Sequence, residues 1–115
     1  MNWTARTAEI RVGLKSVAYG NGTFVAVGDF GIILTSPDGV NWTARTASRI
    51  NDLFGVTYGN GTFVAVGDRG IILTSPDGVN RTERTSGTSN ALFGVTYGNG
   101  TFVAVGKGGT ILTSP

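Results

Sequence analysis

Apolar residues in this chain come in short runs that are cut by glycine-rich turns. The run LFGVTY (53–58) is followed by Gly59-Asn60-Gly61, a tight turn because Asn and Gly tolerate positive φ. Next comes TFVAVG (62–67), in which Phe63 and Ala65 point one way and Val64 and Val66 the other. Both faces of that strand are apolar, so it should be covered on both sides. Asp68-Arg69-Gly70 turns the chain into IILTS (71–75), again apolar on both faces. Pro76-Asp77-Gly78 makes the next turn, with Pro fixing φ and Gly where the bend is needed. The segment NWTART (41–46) alternates more clearly, with Trp42 and Ala44 facing in and Thr43 and Arg45 facing out. That is the pattern of an outer, half-exposed strand. No amphipathic helical period is present.

These runs recur. YGNGTFVAVG stands at 19–28, 58–67 and 97–106, a spacing of 39 residues both times. Ser36, Ser75 and Ser114 keep the same phase, as do Leu14, Leu53 and Leu92. Between 19–46 and 58–85 only three positions differ: Phe30/Arg69, Trp42/Arg81 and Ala44/Glu83. Such near-identity reads as recent amplification or deliberate construction. Four-stranded units of roughly 40 residues have the period of propeller blades. The expected fold class is therefore all-β, a β-propeller of three four-stranded blades per chain, with a β-trefoil as the alternative. The doubly covered inner strands favour the propeller, whose blades stack face to face.

The hairpin SPDGVNW (36–42) resembles an Asp-box, with Ser36, Asp38 and Trp42 in its defining positions. The longer run VAVGDRGIILTSPDGVN (64–80) is similar to blades of sialidase-type BNR propellers and of photosystem II assembly-factor-like propellers. The resemblance extends over essentially the whole chain, one blade at a time. It departs at Arg81, where the box Trp is missing, and at Pro115, where the box is cut. It implies a propeller whose boxes lie away from the functional face.

Three blades are too few for a closed propeller, which uses about 4–8. Homo-oligomerisation is the expected remedy, a dimer giving six blades first and a trimer giving nine second. MNWTART opens the chain and TILTSP ends it, two parts of a motif written whole at 35–46 and 74–85. The expectation is a single repeat domain, 1–115, in which strand 2–7 completes the final blade, 92–115, of a neighbouring chain.

Composition narrows the chemistry. Hydrophobic residues make up 40% and charged residues 14%, which argues against disorder. With no Cys there is no disulfide framework or thiolate metal site, and with no His the commonest general base is missing. A net charge of +2 is too small to indicate a nucleic-acid partner. No signal peptide or membrane-spanning apolar stretch is visible, and no cofactor or metal is implied.

The box residues Ser36, Asp38, Trp42, Ser75, Asp77, Ser114 and Trp3 read as structural, satisfying turn backbone and packing beneath it. The N-x-T sites at Asn2, Asn21, Asn41, Asn60, Asn80 and Asn99 read as turn Asn followed by strand Thr, duplicated with the repeat. Arg6, Arg45 and Arg84 share one phase on the outer strand, where a solvated charged edge is expected. The repeats disagree mainly in two loops, the connection between units and the turn between second and third strands. Asp29, Phe30, Arg49, Asp52, Asp68, Arg69 and Lys107 lie there. They are the candidate contacts for a glycan or protein ligand, although loops also vary simply because they tolerate change. A glycosidase is the remote third reading, since it needs two carboxyl groups in different environments and no such pair can be assembled. The leading expectation is a non-enzymatic, self-assembling scaffold.

Overall fold

The computed structural model describes residues 1–8, 10–45 and 51–115. The fold is all-β, with three antiparallel sheets among the described residues. The first sheet comprises β1 (Leu14–Gly20), β2 (Thr23–Gly28), β3 (Ile33–Ser36) and β4 (Thr43–Ala44). The second comprises β5 (Leu53–Gly59), β6 (Thr62–Gly67), β7 (Ile72–Ser75) and β8 (Thr82–Arg84). The third comprises β9 (Leu92–Gly98), β10 (Thr101–Gly106) and β11 (Ile111–Ser114). Within each sheet, strands pair in chain order.

The turns explain the meander. Asn60 and Gly61 sit at φ 49° and 74°, the mirror-image turn whose twist matches that of the flanking strands. It sets Tyr58 opposite Phe63, with ring centroids 4.6 Å apart, and cross-strand aromatic pairs of this kind stabilise a hairpin. The next turn in every sheet is a short 3-10 turn: Asp29–Gly31, Asp68–Gly70 and Lys107–Gly109. Phe30 and Arg69 stand there in the left-handed region, at φ 59° and 57°, where the third sheet has Gly108. A turn is legible at these positions; a left-handed conformation at two bulky residues is not.

The sheets lie side by side, with β5 between β1 and β9. No strand of one sheet pairs with a strand of another, and no barrel closes, so the barrel that a trefoil requires is not formed among the described residues. Two apolar layers hold the sheets together. Val25, Val27 and Ile33 of the first sheet meet Val56, Phe63 and Leu73 of the second. Val64 and Val66, on the opposite face of β6, meet Leu92, Phe102 and Ala104 of the third. The alternation of β6 thus places its two faces in two different cores, as its pattern predicts.

The outer strands depart from expectation. β4 and β8 are short, and their residues are exposed, Ala44 included, while Trp42 is half-buried. Arg45 and Arg84 are not simply solvated: each Nε donates to a threonine on the adjacent strand, Thr35 and Thr74, at 2.9 Å. Among the described residues, 2–7 pair with no strand, and Trp3 is exposed.

Leu53 is fully buried between the first two sheets. Replacing it, Leu53→Ala, should cost about 2–5 kcal/mol in chemical denaturation through lost burial and the cavity left behind. A loss below about 1 kcal/mol would show that the two sheets do not depend on this contact.

Candidate functional site

The hairpin joining third and fourth strands is built the same way twice. Ser36 Oγ accepts the Gly39 N–H at 2.7 Å and donates to Asp38 Oδ1 at 3.1 Å. Asp38 Oδ1 also accepts the N–H groups of Val40 and Asn41, both at 2.9 Å, and Oδ2 accepts from Asn41 Nδ2 at 3.1 Å. Ser75 and Asp77 repeat this network onto Gly78, Val79 and Asn80. The Asn41 and Val40 amides hold the Asp38 carboxyl down, to a pKa of about 2. Those of Asn80 and Val79 lower Asp77 in the same way. Each carboxylate is thus engaged by its own loop, an arrangement that fixes backbone rather than one that presents an open ligand.

Below the first hairpin, Trp42 Nε1 donates to Gly39 O at 3.1 Å, and its ring lies 6.5 Å from that of Phe24. Arg81 takes the same place in the second repeat and does something different, with Nη1 donating to Arg45 O at 2.8 Å. Ser114 ends β11 and is exposed, like Trp3.

The variable loops gather at one end of the sheets. Leu14 pairs with Gly28 and Leu53 with Gly67, so the start of each first strand lies beside the turn after the second. Two of the candidate residues touch across the first and second sheets: the Phe30 N–H donates to Asp52 Oδ1 at 2.8 Å. Asp29 is paired with Lys15 at 3.7 Å. The Asp68 N–H donates to Asp52 O at 2.9 Å, while Asp68 Oδ1 accepts the Arg69 N–H at 3.0 Å. Lys107 is placed in the third sheet's turn, where its N–H donates to Ala91 O. Arg49 falls outside the described residues.

A groove of about 480 Å³ opens beside Arg69, between Asn51 and the connection 83–89. Asp29, Phe30 and Lys107 do not line it. The six described candidates therefore share one end of the molecule without converging on one pocket. Among the described residues no cluster of acidic side chains is arranged to hold a metal ion. Every buried side-chain polar atom there has a hydrogen-bond partner.

Sequence reasoning missed the residues that join one sheet to the next. Ser16 Oγ accepts the Val56 N–H at 3.2 Å. The ring of Tyr58 lies over Gly20, and that of Tyr97 lies over Gly59. The repeated Tyr-Gly pair was the available signal, but the Tyr of one repeat meets the Gly of the preceding one, which only packing reveals.

No protein-family model and no curated protein matches the chain.

The lowered carboxyls have a consequence for acid stability. A folded pKa below the ordinary value of about 3.9 gives stability that is present above that value and lost as pH falls through the folded pKa. For Asp38 that window runs from about pH 4 down to about 2. The double variant Asp38→Asn, Asp77→Asn should melt lower at pH 7 and lose less melting temperature than the parent across this window. Equal acid slopes would show that the two carboxylates do not carry the effect.

Proposed function

We propose that this chain is a non-enzymatic, self-assembling scaffold of β-propeller type, each sheet being a blade and β1, β5 and β9 lining a common axis. The observation that carries the reading is a difference in burial between identical residues. Val56 is 7% exposed, whereas Val17, its counterpart in the first sheet, is 58% exposed. The middle sheet has neighbours on both faces. Among the described residues the first and third sheets have the same apolar faces with a neighbouring sheet on one side only, and Ile111 on the third is 67% exposed. Burial of such surface favours association at about 25 cal/mol per Å².

The segment 2–7 supports the same reading. Arg6 and Ala8 border a groove of about 490 Å³ with Val17, Ala26 and Leu34 of the first sheet. Arg84 and Ser86 border the groove between the second and third sheets with Val95, Ala104 and Leu112, the repeat counterparts of those residues. Residues 2–7 therefore stand beside the first sheet as β8 stands beside the third. In this reading they are the outer strand of a blade that a second copy supplies, and they pair with that copy's β11. By the register of β3 with β4, Ala5 would face Leu112 and Thr4 would face Thr113.

A glycan- or protein-binding role for the loop end is a second reading. It draws support from Phe30, an aromatic side chain 51% exposed beside Asp52. The two readings are compatible, because the loop end stays open when sheets stack. Among the described residues no acid–base carboxylate pair supports a glycosidase.

Light scattering on the purified chain should give the mass of two chains, six blades, with three chains as the other closed form. A single-chain mass at high micromolar concentration would overturn the scaffold reading. For the loop end, a glycan and peptide array should return a ligand whose binding falls at least about tenfold in Phe30→Ala; an array without hits sinks that reading.

A further inference from the structure

We infer that the outer face of the first sheet docks head to tail on the outer face of a second copy's third sheet, with Tyr19 seated on that copy's Gly98. The inference rests on the propeller reading and specifies the contact that makes it work.

The three repeats carry three tyrosines and three glycines in equivalent positions: Tyr19, Tyr58 and Tyr97, each followed by Gly20, Gly59 and Gly98. Two of the possible seats are filled within the chain. A Cβ placed on Gly20 would lie 2.1 Å from the ring of Tyr58, and one on Gly59 would lie 2.2 Å from that of Tyr97. Those are overlaps that no side chain can share, so glycine is required where the ring of the next sheet rests. The remaining ring and the remaining seat are at opposite ends of the stack. Tyr19 is 57% exposed. A Cβ on Gly98 would meet nothing within 4 Å, and Gly98 is exposed.

The surfaces around them correspond too. In the chain, Val56 and Leu73 of the second sheet pack against Val27 and Ile33 of the first. Their counterparts are Val17, exposed, and Leu34, buried at the base of the groove bordered by Arg6 and Ala8, on the first sheet, and Val105 and Ile111, both exposed, on the third. The first sheet thus presents the knob and the third the matching hollow. These two faces differ, so pairing each with its own copy would set Tyr19 against Tyr19 and Gly98 against Gly98. Only the head-to-tail arrangement repeats the packing already present twice, and such a contact generates a ring when its rotation closes.

The test is Gly98→Ala. In the single chain the added methyl enters open space at a residue outside the left-handed region, so the circular dichroism spectrum should be unchanged. In the assembly it would strike the Tyr19 ring, and the dissociation constant should rise at least about tenfold. Tyr19→Ala removes the ring from the other side and should weaken assembly by a similar factor, which keeps the test open if Gly98→Ala misfolds. A parent chain that never assembles overturns the propeller reading itself. A parent that assembles, with both variants assembling equally well, overturns this docking while leaving that reading standing.

Discussion

A sheet that is apolar on both faces must lie between two others, and every sheet in this chain is of that kind. The rule follows from the strand TFVAVG, whose Phe and Ala take one face while its Val residues take the other. In the middle sheet the rule is satisfied: Phe63 and Ala65 enter one core, and Val64 and Val66 enter the other. In the flanking sheets it is satisfied on one side. The remaining architecture serves this stacking. Local turns keep each sheet a meander, and short, exposed outer strands let the sheets approach along their inner strands.

The polar residues that look most like a binding site are devoted to holding turns. Asp38 and Asp77 each accept two amide hydrogens from the loop that carries them, and the serines before them complete the loop. The arginines at 45 and 84 tie outer strands to their neighbours through threonine hydroxyls. The proposed contacts fall instead on the loop end and on the two apolar end faces. The end faces are the stronger feature, because the chain itself shows twice what covers such a face.

Much of this was legible from residues 53–85 alone. Period-two alternation identified the strands because side chains on a strand must point to opposite faces. Asn-Gly and Pro-Asp-Gly identified the turns because few residues accept those dihedrals. The roles of Ser36 and Asp38 were also readable, since their partners lie within a few residues along the chain. Less legible were the outer strands: Ala44 alternates like a buried residue yet is exposed, because no sheet lies over it. Phe30 and Arg69 gave no hint of a left-handed backbone, since the closure of the turn imposes it and local preference opposes it.

The sequence by itself therefore determined strand order, turn type and the doubly apolar character of each sheet, all of which depend on neighbours a few residues apart. Only the tertiary structure decided which face meets which. Tyr58 finds Gly20 across 38 residues, and the contact requires two sheets to be stacked in one direction and not the other. Three nearly identical repeats cannot encode such a difference in their residues. It arises from position in the stack, which leaves Leu53 and Leu92 fully buried while their counterpart Leu14 is nearly half exposed.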